Sequence, residues 1–286
     1  LDLPPFGNQN PNPMKHPMEN LEHYIEINRR SWNNRVLAHV ASEFYDQKGF
    51  LEGKNTLKEI ELDLLGDVRG LSVLHLQCHF GQDTLSLCRM GARVTGVDIS
   101  DKAIEVANET GEAIGCEAKF ICCDLYSLPN HLQGQFDLVF SSYGTIGWLP
   151  DLDGWAGLVA RYLKPGGKFV FAEFHPVVWM MDDGFTSISY DYFNTGPILE
   201  SETGTYADRK ADIQQDYVMW NHGLGEVMGS LKKHGLNLDD FKEFDYSPYN
   251  CFQGMVEFEP GKFRIGHLKK KIPMVYGFVA CKPILT

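Results

Sequence analysis

Residues 71–100, LSVLHLQCHFGQDTLSLCRMGARVTGVDIS, constrain the fold of this chain more than any other stretch. Residues 71–76 are a short apolar run bounded by turn formers, as expected of a buried parallel strand. Residues 77–82 read as the turn. Leu85, Leu87, Cys88 and Met90 give the next segment an apolar side, and Gly91 stands where a helix stops in the left-handed conformation. Residues 94–97 form a second strand, ended by Asp98. The unit is βαβ with an acid at the tip of its second strand. Such an acid commonly accepts hydrogen bonds from the ribose hydroxyls of an adenosine ligand. The opposing reading makes Asp98 only an acid beside Ser100, the N-cap of the next helix.

The alternation then continues. Ala103, Ile104 and Ala107 lie on the helix after Ser100. Residues 119–123 read as a third strand followed by Asp124, and residues 136–141 (FDLVFS) as a fourth. Trp155, Leu158, Val159, Tyr162 and Leu163 are spaced as one helical face, and LKPGG leads into a fifth strand at 168–174. Leu224, Val227, Met228 and Leu231 form a later helical face stopped by Gly235, with two late strands at 241–246 and 274–281. The expected fold is α/β: a doubly wound, Rossmann-like sheet.

Three segments fall outside this rhythm. Residues 1–18 are rich in Pro and Asn and read as a flexible arm. Residues 19–65 look helical and form an N-terminal cap, with Trp32, Val36 and Val40 on one stripe. The remaining 66–286 form the main domain, interrupted by insertions at about 176–221 and 247–272. The first insertion is aromatic-rich, serving either as pocket wall or as its own core.

Composition narrows the partners. A net charge of −12 argues against a nucleic-acid substrate, which calls for a basic face; the basic run at 269–271 reads as a solvated edge. No apolar run approaches the ~20 residues of a membrane helix. No secretory signal is recognisable, and seven cysteines without CxxC spacing read as reduced thiols, so a cytoplasmic location is expected. The histidines lack HxH or HExxH spacing, so no metal site is expected.

The turn decides the cofactor. A dinucleotide needs GxGxxG so that backbone can approach a charged pyrophosphate. Here the turn is Gln77-Cys78-His79-Phe80-Gly81-Gln82, with only Gly81 remaining, and no GxxxxGK[ST] occurs. A turn with one glycine suits a ligand that carries adenosine but no phosphate, and S-adenosylmethionine (SAM) is such a ligand.

On these residues the chain resembles the class I SAM-dependent methyltransferases of small-molecule type. VLHLQCHFG stands where that family has an acid and several glycines; GVDIS, CCDLYSLP, FDLVFSSYG and RYLKPGGKFVFAEF match its next strand ends. The resemblance covers about residues 66–175. It implies a seven-stranded sheet with the last strand antiparallel. It also implies a SAM site built from Gln77, Cys78, His79, Gly81 and Gln82, from Asp98, Ile99 and Ser100 at the ribose, from Asp124 and Leu125 at the adenine, and from Ser141 and Ser142 along the methionine. His75, Gln77 and His79 replace the family's acid and two glycines. Gln77 has a carbonyl that could accept from the methionine amino group, whereas His75 reads as structural.

Each role has a plainer counterpart. Asp124 is an adenine contact or a solvated strand-end acid. Gly81 admits the ligand or only makes the turn, and His79 touches it or is a satisfied loop histidine. Glu173 and His175 lie on one face at the carboxyl end of the fifth strand, as catalytic bases or as structural groups. Trp32 closes the SAM pocket or anchors its helix. The expected function is methyl transfer from SAM to a small-molecule acceptor. The alternatives are a catalytically silent SAM-binding regulator or scaffold and, further off, a Rossmann-type oxidoreductase.

Overall fold

A computed structural model describes residues 20–284; the arm expected at 1–18 lies outside the described residues. The chain opens with α1 (Leu21–Ala41), α2 (Gln47–Leu51) and α3 (Glu59–Leu65), three helices separated by loops in the segment expected to be helical. Then follow β1 (Ser72–Leu76), α4 (Gln82–Arg89), β2 (Arg93–Asp98), α5 (Asp101–Ala113), β3 (Ala118–Cys122), β4 (Phe136–Ser142), α6 (Leu152–Tyr162) and β5 (Leu163–Phe174). The chain continues through β6 (Ile198–Thr203), β7 (Gln214–Met219), α7 (Leu224–Lys233), β8 (Asn237–Phe244), β9 (Met255–Glu259), β10 (Lys262–Ile265) and β11 (Val275–Cys281).

Seven strands make one sheet in the order β3-β2-β1-β4-β5-β11-β8. β1 pairs in parallel with both β2 and β4, so the order reverses there and leaves a crevice at the carboxyl edge. The last strand, β11, runs antiparallel to β5 and β8 and lies between them. The expected Rossmann-like sheet is therefore present.

Both faces are covered. Trp155, Val159 and Tyr162 of α6 pack with Val227 and Leu231 of α7 against Phe169, Phe171 and Phe278. On the other face Ile60 and Leu64 of α3 pack against Val170, Ala172 and Val275. A Cβ at Gly277 would stand 2.7 Å from a Leu64 methyl, so the glycine sets how closely α3 approaches β11.

Both insertions hold structure that apolar periodicity does not reveal. β6 and β7 pair as an antiparallel hairpin inside the first, and β9 and β10 pair inside the second. The first hairpin packs on α1. The buried face of that helix differs from the expected apolar stripe: it includes Asn28, Ser31, Arg35 and His39. Val36 of the expected stripe is buried against Phe80 and Ala103. The Asn28 side chain acts as a strand surrogate, donating to Val218 O (2.9 Å) and accepting from Val218 N–H (2.8 Å).

Candidate active site

A cavity of about 450 Å³ opens at the carboxyl edge of the sheet, under α1 and the β6–β7 hairpin. Its size is that of a small-molecule site. Gln77, Cys78, His79, Gly81, Gln82, Asp98, Ile99, Asp124, Leu125, Ser142 and Trp32 all line it.

The turn after β1 has an unusual backbone. Gln77, His79 and Gly81 all have positive φ (55°, 50° and 79°). A left-handed non-glycine residue costs roughly 1–2 kcal/mol, and such strain tends to persist at functional sites. Gly81 also has a packing reason: a Cβ there would meet the Phe120 ring at 2.8 Å and Ala107 at 2.9 Å. Both are protein groups, so Gly81 is required by its protein neighbours.

Asp98 closes the turn. Its carboxylate accepts from the N–H of His79 (2.7 Å) and of Ser100 (2.9 Å). Burial pushes it up to about 6 against the downward pull of these N–H groups. With the Ile99 N–H also contributing, the carboxylate retains acceptor capacity beyond its backbone partners. Gln82 donates to Tyr45 O (3.0 Å) and Gln47 Oε1 (2.7 Å), tying the cap to the turn. Asp124 caps a short 3-10 helix through Ser127 N–H (3.0 Å). His75 is buried against Thr84 Oγ1 (2.8 Å), and burial holds it neutral, down to about 3.

A chain of polar groups enters from the roof. Thr205 Oγ1 accepts from the N–H of Ala207 (2.9 Å) and Asp208 (3.2 Å), which occupies both lone pairs. Its proton therefore points to His39 Nε2, 3.1 Å away. His39 then carries its own proton on Nδ1 and donates to His79 Nε2 at 2.9 Å. Burial keeps both imidazoles neutral, His39 down to about 3. The remaining proton of His79 is thus assigned to Nδ1. That atom is buried and has no partner among the described residues.

Two further cavity-lining residues carry unpartnered buried atoms, Arg35 at Nε and Gln77 at Oε1. Arg35 is fixed by Ser31 Oγ (2.7 Å) and Glu202 (3.1 Å), with its guanidinium over Trp32, Trp148 and Tyr217. Gln77 Nε2 donates to Thr145 O (2.8 Å), while its carbonyl oxygen has no partner among the described residues. Two donors and one acceptor are the complement of an amino acid's carboxylate and ammonium. The cavity residues thus fit the methionyl end of SAM.

Four expected site residues stand elsewhere. Ser100 is buried as the N-cap of α5, donating to Asn33 Oδ1 (2.6 Å). Ser141 is buried and donates to Thr145 Oγ1 (3.2 Å). Glu173 and His175, expected either as catalytic bases or as structural groups, are not among the residues that line the cavity. The Glu173 carboxylate is occupied by the N–H groups of Gly144, Thr145 (2.7 Å), Ile146 (3.3 Å) and Phe174 (2.7 Å) and by the Thr145 hydroxyl (3.0 Å). It fixes the loop after β4 and has no oxygen left for a substrate proton. His175 Nδ1 accepts from Val177 N–H (3.2 Å), and Nε2 lies 3.0 Å from Glu243. Asn28, Arg35, His39 and Thr205 were absent from the expected set. The polar side chains Asn28, Ser31, Arg35 and His39 recur at helical spacing, and that period was the available signal.

A doubly wound sheet of this order, with its last strand reversed and a cavity at its switch point, defines the Rossmann-like methyltransferase fold. Comparison with known proteins gives the same class. Residues 73–167 match the family model described as a methyltransferase domain. A ubiquinone biosynthesis O-methyltransferase of Xanthomonas oryzae pv. oryzae is 28% identical over 134 residues, which is 46% of this chain and 56% of that protein. The sterol 4-C-methyltransferase strm-1 of Caenorhabditis elegans is 31% identical over 99 residues, 34% of this chain and 29% of that protein. The match thus spans about half the length of the first of these relatives and less of the second. Among solved structures, a SAM-dependent methyltransferase of Mesorhizobium loti superposes with a TM-score of 0.56 at 22% identity, covering 81% of this chain and 100% of that one. Residues 73–167 thus match a methyltransferase domain, and the fold is the one found in SAM-dependent methyltransferases.

Proposed function

We propose that this chain transfers a methyl group from SAM to a small-molecule acceptor. The observation that carries the reading is the set of unpartnered atoms on Arg35, Gln77 and His79. Arg35 Nε and His79 Nδ1 take the methionyl carboxylate, and Gln77 Oε1 takes the ammonium. The order of the sheet supports the rest. Asp98 at the end of β2 takes the ribose, and Asp124 and Leu125 after β3 take the adenine, each one strand further from Gln77.

Bound SAM supplies an activated methyl on a sulfonium. The protein contributes alignment and a dry chamber. Segment 19–65 acts as the cap over the main domain, and Trp32 forms part of its seal. The Trp32 ring sits 5.0 Å from Trp148 and 5.1 Å from His79. The net charge of −12 supports an acceptor other than nucleic acid, and the free thiols support a cytoplasmic setting. Among the described residues no helix is long and apolar enough to cross a membrane.

Calorimetric titration with SAM, S-adenosylhomocysteine and NAD tests the cofactor, and release of S-adenosylhomocysteine over an acceptor panel tests the chemistry. Binding of NAD with no response to either adenosyl ligand would sink the proposal. A second reading, a silent SAM-binding scaffold, draws on Gln77 and His79 in place of glycines. Tight binding without turnover of any acceptor would favour it.

A further inference from the structure

Beyond the methionyl end, the cavity runs along the sheet edge past β4 toward β5. Tyr143 follows β4 directly and Phe174 ends β5; both line this part of the cavity. With adenine at β3, ribose at β2 and methionine at β1, the β4–β5 end is what remains for the acceptor. Trp179, Tyr249 and Phe252 complete its aromatic wall.

Tyr143 has φ of 47°, a left-handed conformation that a bulky residue adopts only when its surroundings demand it. Its ring is held between Phe174 (5.6 Å) and Tyr249 (5.2 Å). Its hydroxyl donates to Glu61 Oε2 at 2.7 Å. Glu61 lies on α3 and is fully buried. Its other oxygen accepts from Lys58 N–H (3.1 Å), an ordinary helix-start contact. That contact accounts for one oxygen and leaves the burial of the other against Tyr143 unexplained. Among the described residues no cation pairs with Glu61. The groups around it are Asp83, which faces it from α4, Tyr143, Tyr249, and Lys58 on its own segment. The Lys58 ammonium lies 5.1 Å over the Tyr249 ring.

We propose that Tyr143 and Glu61 form a proton relay for an aromatic hydroxyl acceptor seated at the β4–β5 end of the cavity. This rests on the methyltransferase reading above. The acceptor O–H gives its proton to Tyr143 Oη as Tyr143 passes its own proton to Glu61 Oε2. The acceptor oxygen forms the new bond to the methyl carbon, and the electron pair of the broken C–S bond stays on sulfur. The positive sulfonium and the negative carboxylate are both neutralised, so charge balances. A flat hydroxyl compound fits the aromatic wall. Lys58 disfavours an ammonium in the same place. A thiol ionises near pH 8.5 and needs no relay. Burial raises Glu61 to about 7, which suits a group that must take up a proton near neutrality.

The test compares wild type, Tyr143→Phe and Glu61→Gln by circular dichroism, by calorimetry with S-adenosylhomocysteine, and by kcat and KM against pH over a panel of phenols, amines and thiols. Both variants should bind S-adenosylhomocysteine as wild type does. Wild type should methylate phenols with an acidic limb near pH 7. Each folded variant should lose about 100-fold or more in kcat with little change in KM, and Glu61→Gln should lose the acidic limb. If Glu61→Gln does not fold, Tyr143→Phe alone decides. Phenol turnover within threefold of wild type overturns the relay. So does a wild type that binds S-adenosylhomocysteine but methylates no phenol. A wild type that binds no adenosyl ligand overturns the methyltransferase reading, and the relay with it.

Discussion

His39 Nδ1 and His79 Nε2 lie 2.9 Å apart, and this contact sets the tautomer of a turn residue from the roof of the cavity. The sense of the chain is fixed at Thr205, whose hydroxyl is the only one of its three members that must donate. Thr205→Val removes that donor while keeping the shape. His39 is then free to reverse, and His79 Nδ1 ceases to be an obligatory N–H. Affinity for S-adenosylhomocysteine should fall by about 1 kcal/mol, the net value of one hydrogen bond. Nitrogen-15 NMR of the imidazoles should show the change of tautomer. Unchanged spectra and affinity would mean that His79 is set by other contacts.

Asp98 is the second point of attack. In Asp98→Asn one acceptor oxygen becomes an NH2 group facing either a backbone N–H or a ribose hydroxyl. Loss of a charged acceptor should weaken cofactor binding by roughly 1.5–3 kcal/mol. Calorimetry on the folded variant checks this. Affinity within twofold of wild type would place the ribose elsewhere.

Gly81→Ala should act on the fold before it acts on the site. The new methyl would overlap Phe120 and Ala107, and the backbone there is left-handed. Overpacking costs typically about 1–3 kcal/mol, with roughly 1–2 kcal/mol more for the conformation. The urea midpoint should drop accordingly. An unchanged midpoint would show that Phe120 yields freely.

Glu61 gives stability a pH dependence of known sign. Burial first, and Asp83 second, raise its carboxyl from 4.5 to about 7. Between those values the folded protein holds a proton that the unfolded chain has released. Ionisation on raising the pH therefore destabilises the fold. Wild type should lose up to about 1.4 kcal/mol per pH unit relative to Glu61→Gln from pH 4.5 to 7, with little further change outside that window. Urea melts at pH 4, 5.5 and 8 measure the difference. A constant difference would show that Glu61 is solvated.

The sheet was legible because β1 (SVLHL) and β4 (FDLVFSS) each carry a short apolar stretch next to turn signals and Asp98 marks a strand end. The roof was not. Asn28, Arg35 and His39 are buried only because β7 and Thr205 are brought against them, and nothing local in the sequence says that they will be. The β6–β7 hairpin has polar strands and a long connection at 204–213, so it lacks a short turn signal. The β9–β10 hairpin did carry one, Pro260-Gly261 between MVEFE and KFRI. For Glu173 and His175 the sequence left a catalytic and a structural reading open, because a position at a strand end says nothing about whether their oxygens and nitrogens are already occupied.

The Asn28–Val218 pairing joins segments 190 residues apart in the sequence. Helix and hairpin are stitched by amides, a guanidinium and an imidazole, and so neither can be exchanged alone without leaving its partner's polar groups unpaired. They form a cassette. Recombination between relatives that moves α1 together with residues 198–219 should graft a new chamber onto an unchanged sheet, whereas moving either half should yield an insoluble chimera. Diversification of acceptor preference in such chains is then expected to proceed by correlated replacement at two distant loci.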